Sequence, residues 1–340
     1  MLHIINAFES ATRGSERAAL EAARLLQPMQ PTTVWSTLPP PPALQALAAD
    51  WGIAVQTIQP FAGRFPKGGI LLIWGTHFSP GVWLQASRCE RLVIVNELFN
   101  YANLYRQVLE ARAAGLPDPC VVHVSTLLRT ASVIDGPIVY PTARLSPMFT
   151  ISRQAVRNPP VVGRVSRDVP EKHHADDPLL YRALAAEGLA VRLLGATVLA
   201  GALHDRAEIE LMREGAMPVD AYLEGIDIFF YRTAGEGSFV EPSGLVVAEA
   251  MAAGLPVVAV RPGGFADLLV HGENGFLVDT QDQAFEAIMH LARDVALRRR
   301  IGETARRDMR ERFGPAYARR LLDILRPPAQ PDAPNSRQHD

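Results

Sequence analysis

Apolar residues along this chain come in short compact runs, each bounded by polar or turn residues. The first half has them at residues 2–8, 33–35, 54–58, 70–74, 92–96 and 121–124. Such runs suit strands buried on both faces of a parallel sheet. Helical stretches at 16–26, 43–50 and 104–114 fall between several of them, and strand alternating with helix predicts a doubly wound α/β sheet. The pattern starts again beyond Arg157-Asn158-Pro159-Pro160. Strands are expected at 161–165, 190–194, 226–231, 255–260 and 275–278, with a helix from Asp177-Pro178 to Gly188. Two Rossmann-like domains follow, 1–157 and 158–313. Residues 283–313 read as one arginine-rich helical stretch whose Arg298–Arg300 cluster is a solvated face. Gly314-Pro315 breaks it before a last helix at 314–326. The proline-rich tail 327–340 is expected to be disordered.

One stretch departs from this regular layout. Residues 239–254, FVEPSGLVVAEAMAAG, hold an almost wholly apolar helix with a single carboxylate, Glu249, inside it. Ser243 is expected as its N-cap, Gly244 opens it, and Gly254 with Pro256 closes it. A helix apolar on every side is a buried helix. An unpaired polar group there costs on the order of 2–7 kcal/mol, so Glu249 must accept hydrogen bonds from something. The donors are either a buried Arg or Lys, or the vicinal hydroxyls of a ligand such as a ribose. Glu241 lies in the loop just before the helix, where backbone N–H groups at strand and helix ends commonly hold ligands.

Composition narrows the class. At 340 residues the chain is long for one core, which agrees with two domains. A formal net charge of −2 gives no global attraction to nucleic acid or an anionic membrane. Two cysteines, Cys89 and Cys120, do not make a disulfide framework and fit a reducing compartment. No run approaches the roughly 20 apolar residues of a membrane span. A cytoplasmic α/β protein is expected. Phosphate-loop, dinucleotide-fingerprint, zincin and nucleophile-elbow motifs are all absent, against the common NTPase, dehydrogenase and hydrolase classes. His173-His174 with Asp176-Asp177 does not read as a metal site: adjacent histidines diverge, and Asp177-Pro178 is a helix start.

The run FVEPSGLVVAEAMAAGLPVVAVRPGGFADLLVHGENGFLVD resembles the donor-binding region of the retaining GT-B glycosyltransferases of family 4. The likeness includes the two glutamates separated by seven residues, the Gly263-Gly264 turn and GENGFLV. VVGRVSRD resembles the start of that family's second domain, and residues 138–149 resemble its interdomain segment more loosely. The resemblance implies that the two domains face each other across a cleft, with the last helix crossing back to the first, that Glu249 holds the ribose of a nucleotide-diphosphate sugar and that Glu241 contacts the donor sugar. The Gly244 and Leu245 amides would position the donor, Arg164 would bind its diphosphate with Lys172 as companion, and His77 would reach the sugar from the first domain. Ser243 stands where the family usually has an aromatic residue, Asp267 where it usually has glutamate, and Gly14 where its first loop often has two glycines. The implied activity is metal-independent sugar transfer with retention, using the nucleotide sugar as substrate and needing no cofactor. A glycan, lipid-linked or small-molecule acceptor and peripheral contact with the inner membrane face are implied as well. A nucleotide-sugar epimerase, or a silent sugar-nucleotide-binding subunit, is the alternative.

Overall fold

The computed structural model describes residues 1–11, 13–142, 145–152, 157–235 and 239–326. Two six-stranded sheets form. The first comprises β1 (Leu2–Asn6), β2 (Thr32–Ser36), β3 (Val55–Thr57), β4 (Ile70–Trp74), β5 (Arg91–Asn96) and β6 (Cys120–His123), in the spatial order β3-β2-β1-β4-β5-β6. The second comprises β7 (Val161–Val165), β8 (Ala190–Leu194), β9 (Ile209–Met212), β10 (Ile228–Tyr231), β11 (Val257–Val260) and β12 (Phe276–Val278), in the order β9-β8-β7-β10-β11-β12. Each domain thus repeats one topology, and the strand pairs of both sheets are parallel. Helices cover both faces, so each sheet carries two apolar layers. Leu2, Ile4, Leu72 and Val93 face one side of the first sheet, and Ile5, Leu71, Ile73 and Ile94 the other. Burial on both faces is why these strands are continuous apolar runs and do not alternate.

The strand β9 was not expected. It reads Ile-Glu-Leu-Met at the sheet edge, where only Ile209 is buried, and Glu210 lies 2.6 Å from Arg192 on β8. An edge strand with one solvated face lacks the solid apolar run used to find the others. The arginine-rich stretch is two helices, Gln281–Arg293 and Val295–Phe313, because the Asp294 side chain caps the second by accepting from the Leu297 N–H. Arg298 is not on a solvated face. It is buried and donates to the Leu291 and Ala292 carbonyls at the end of the preceding helix, and to the Arg157 carbonyl. A guanidinium satisfies such orphan carbonyls well, since it offers several donors in a fixed plane.

The Pro315–Leu325 helix does cross back. Tyr317, Leu321, Leu322 and Leu325 pack into the first domain's core beside the Gly14–Leu26 helix. In the opposite sense, Leu145, Met148 and Ile151 already belong to the second domain's core, against the Leu245–Ala252 helix. The two exchanges tie the halves together. The expected disordered tail lies outside the described residues.

Candidate active site

Open parallel sheets bind ligands at the carboxyl ends of their strands, where the strand order reverses. That point falls between β1 and β4 in the first sheet and between β7 and β10 in the second. Gly14 follows β1, His77 follows β4, Lys172 follows β7, and Glu241 follows β10. The two edges face each other: a Cβ on Gly14 would lie 3.1 Å from Leu245 Cδ1 across the cleft. Asp267 bridges the halves nearby. Its carboxylate accepts from the Thr126 N–H at 2.6 Å and from the Tyr140 hydroxyl.

The Lys172 ammonium donates to Glu241 Oε2 at 2.8 Å and lies 3.8 Å from the centre of the Phe239 ring. The Tyr231 hydroxyl donates to the same carboxylate at 2.9 Å, and the Gly244 N–H reaches it at 3.4 Å. Burial by itself would raise the Glu241 pKa, but Lys172, Tyr231 and the Gly244 amide outweigh it and hold the carboxyl below its ordinary value. Glycine is required on both sides of this carboxylate. Gly244 sits at φ 73°, and a Cβ there would come within 2.6 Å of Phe265 Cβ; at Gly264 it would strike the Pro242 carbonyl at 1.8 Å. Gly244 is therefore itself the N-cap of the Leu245–Ala252 helix, in the left-handed conformation. Ser243, expected in that role, makes no side-chain cap and stands half-buried one residue earlier.

Arg164, expected to bind a diphosphate directly, is fully enclosed. Its guanidinium pairs with Asp177 at 3.1 Å, donates to the backbone carbonyl of Lys172, and covers the Tyr231 ring at 4.9 Å. Its place at the second residue from the end of a strand buried on both faces turns it inward. The arginine consequently holds the loop that presents Lys172. Arg232, which the sequence reading passed over, completes this network, donating to Asp177 at 2.8 Å and to Gln281 at 2.9 Å. It follows directly on the apolar strand β10, a position that was the available clue. Asp177 also accepts from the His174 N–H at 3.0 Å, so the helix-start aspartate anchors the loop as well. His173 packs against the Gly195 carbonyl at 3.0 Å, and burial with the nearby Arg164 charge pushes it down to about 4.

Glu249 is fully buried in the apolar helix, as its surroundings foretell, and has interactions within the protein. A ribose reaches it only by displacing what now covers it. Leu245 stands half-buried at the mouth.

On the first-domain side, His77 Nδ1 lies 3.6 Å from Glu97 and its ring meets Phe78 edge-on at 5.1 Å. Burial opposes its charge, but the neighbouring Glu97, with the charges of Glu16 and Glu9, raises its pKa above the ordinary value. Glu16 in the Gly14–Leu26 helix is fully buried, its carboxylate oxygens accept no hydrogen bond from the described residues, Arg13 lies 4.0 Å away, and burial raises its pKa. Neither glutamate was singled out from the sequence. The position of Glu97, directly after β5, was the available clue.

Two facing Rossmann-type domains with a charged cleft at both switch points define a GT-B fold. Known proteins agree with that assignment. Residues 201–308 match the family model Glycosyl transferases group 1. The chain is 42% identical over 76 residues to N-acetyl-alpha-D-glucosaminyl L-malate synthase of Bacillus anthracis, covering 22% of this chain and 20% of that protein. It is 29% identical over 188 residues to trehalose synthase of Pyrococcus horikoshii, covering 49% and 43%. The matches thus span less than half the length of these relatives. The structure of Anabaena Alr3699/HepE in complex with UDP superposes with a TM-score of 0.72 at 18% identity, covering 95% of this chain and 98% of that one.

Proposed function

We propose that this protein is a retaining, metal-independent glycosyltransferase of family 4 type, moving a sugar from a nucleotide-diphosphate sugar to a hydroxyl-bearing acceptor. The observation that carries the reading is the Lys172–Glu241 pair at the second domain's switch point, opposite His77 and Gly14 of the first. The match of residues 201–308 to a glycosyltransferase family and the UDP in the Anabaena structure support a nucleotide-sugar donor.

In this mechanism the bond between the anomeric carbon and the diphosphate breaks and its electron pair leaves with the phosphate oxygen. The acceptor oxygen bonds to the same carbon from the same face, and its proton passes to the departing oxygen. Negative charge grows on the diphosphate while positive character grows on the sugar. Fixed cations and amides stabilise the former without reorganising. Lys172 exchanges its contact with Glu241 for the diphosphate, and the Gly244 and Leu245 amides add N–H donors at the helix start. Arg164 acts through Lys172 as a positioning residue. Glu241, released, faces the donor sugar, Glu249 takes the ribose hydroxyls, and His77 approaches the sugar from the opposite wall. Contacts such as Gly14 against Leu245 exclude water, which would otherwise hydrolyse the donor. No described helix is long and apolar enough to cross a membrane. We place the enzyme in the cytoplasm, working on surface-polysaccharide or lipid-linked acceptors at the inner membrane face.

A thermal-shift panel of UDP-, GDP- and ADP-sugars identifies the donor, because a ligand that binds only the native state raises the melting temperature. Transfer and hydrolysis of the stabilising donor are then followed by product mass and anomeric configuration. Stabilisation by a nucleotide sugar with a retained glycoside product is expected. No stabilisation by any of the panel, or steady epimer formation without acceptor, would overturn the proposal.

A further inference from the structure

His77 is held at the carboxyl end of β4 by contacts that reach across to the neighbouring strand. β4 and β5 are parallel, with Trp74 opposite Val95, and the Gly75 N–H extends the ladder by one bond to the Val95 carbonyl at 3.2 Å. This register brings His77 and Glu97, both just beyond the strand ends, side by side, with Nδ1 3.6 Å from the carboxylate. Gly75 gives them the room to meet. It sits at φ 105°, where a side chain is strained, and a Cβ there would lie 2.7 Å from Glu97 Oε1 and 2.8 Å from His77 Nδ1. Glu97 is itself fixed, because the preceding residue locks the end of β5 to β6. The Asn96 side chain donates to His123 Nδ1 at 3.1 Å, and its carbonyl accepts from the Val124 N–H at 3.2 Å. On the other side of the ring, Gln107 donates to the Phe78 carbonyl at 2.7 Å. The side chains of His77 and Glu97 are only 22% and 12% exposed, so salt screens their attraction less than that of a surface pair.

We propose that Glu97 is a positioning residue for transfer, accepting a hydrogen bond from His77 Nδ1 so that the ring offers its Nε2 proton to the donor sugar. The inference rests on the transferase reading and adds the group through which His77 acts there. Hydrogen bonds of unliganded catalytic sites are often long and tighten when substrate binds, so the 3.6 Å separation is that of a bond completed in the complex. The carboxylate has two effects. It decides which ring nitrogen serves the sugar, since the nitrogen engaged with Glu97 is unavailable to it. It also offsets the imidazolium charge. A bare cation would oppose the positive character that grows at the anomeric carbon, whereas the compensated pair donates a hydrogen bond with little net field. The other charges around the ring come from different elements. Glu9 precedes the Gly14–Leu26 helix and pairs with Arg13 at 2.6 Å, and Glu16 lies inside that helix with Arg13 at 4.0 Å. Among the described residues, Glu97 is the one carboxylate of these three within ion-pair reach of His77.

The test uses the full chain with ring-labelled histidine. Nitrogen–proton correlation NMR, without substrate, follows the titration midpoint of His77, whose signal is assigned by its loss in His77→Gln. Glu97→Gln, equal in size, should lower that midpoint, since a neighbouring carboxylate favours the charged ring. Glu16→Gln removes a carboxyl beyond ion-pair reach and should lower it less. Rates of transfer from the stabilising nucleotide sugar are then measured against pH. In the wild type the rate should fall as pH rises through the His77 midpoint, where the ring loses its charge, and in Glu97→Gln this fall should move to lower pH. kcat should drop by up to about 100-fold, as for a catalytic contact misplaced by about 1 Å, with the donor KM little changed. A Glu97→Gln midpoint equal to that of the wild type, or a shift in Glu16→Gln as large as in Glu97→Gln, overturns the proposal. So does a pH profile that Glu97→Gln leaves in place. A lowered midpoint in a protein that transfers no sugar from any donor retains the His77–Glu97 pair and overturns the transferase reading instead.

Discussion

Lys172 and Glu241, on loops 69 residues apart in sequence, meet in a 2.8 Å ion pair, and both side chains are largely buried. The pair satisfies two largely buried charges, and in the proposed mechanism it keeps a cation ready for the diphosphate.

Removing the lysine leaves the carboxylate of Glu241 with Tyr231 and the Gly244 amide as its partners among the described residues. Lys172→Met should destabilise the fold by about 3 kcal/mol, as for other buried pairs deprived of one partner. Adding Glu241→Leu should restore most of that loss. Urea denaturation of the two single variants and the double variant checks this; additive losses would refute the coupling.

Arg164 is expected to affect stability first. Arg164→Met leaves Asp177 with Arg232 and the His174 N–H and frees the Lys172 loop, for an expected loss of about 3–5 kcal/mol. A variant that unfolds at the wild-type urea concentration yet turns over slowly would instead favour direct contact with the diphosphate.

Glu249→Gln keeps the size of the side chain and removes its charge. Loss of charge-assisted hydrogen bonds to a ribose, about 1.5–3 kcal/mol, should weaken nucleotide binding by roughly 10- to 100-fold. Calorimetric titration with the nucleoside diphosphate measures this, and an unchanged Kd removes Glu249 from the binding site.

His77 should give the site a pH signature. Its folded pKa is raised above the ordinary 6.5 through Glu97, so its charge stabilises the fold fully below that value. The contribution is lost as pH rises through the folded pKa. The stability difference between wild type and Glu97→Gln should therefore shrink from about pH 5.5 to about pH 8.5, a range that spans the ordinary histidine pKa. Denaturation curves across that range decide it; a difference independent of pH would show that His77 is not charged by Glu97.

Much of this was legible in the chain. Strands such as Ile70–Trp74 and Val161–Val165 stand where their apolar runs lie, because burial on both faces leaves no room for polar residues. The buried helix around Glu249 was readable for the same reason, as were the glycines that its entry turn requires. The edge strand Ile209–Met212 was not, since one solvated face erases the run. Nor was the N-cap, where a left-handed Gly244 pressed against Phe265 displaces Ser243.

The sequence by itself determined the two-domain α/β architecture, because periodicity is a local property, and the family resemblance pointed to Lys172, Glu241 and His77 but not to Arg232, Glu97 or Glu16. Only the tertiary structure decided which charges meet. Lys172 and Glu241 pair because β7 and β10 are neighbours in the sheet, and Arg164 turns to Asp177 because its strand is buried. Glu97 and Glu16 gather near His77 because the ends of separate elements converge. Charge partnerships depend on distance in space, and the order of residues along the chain does not encode that distance.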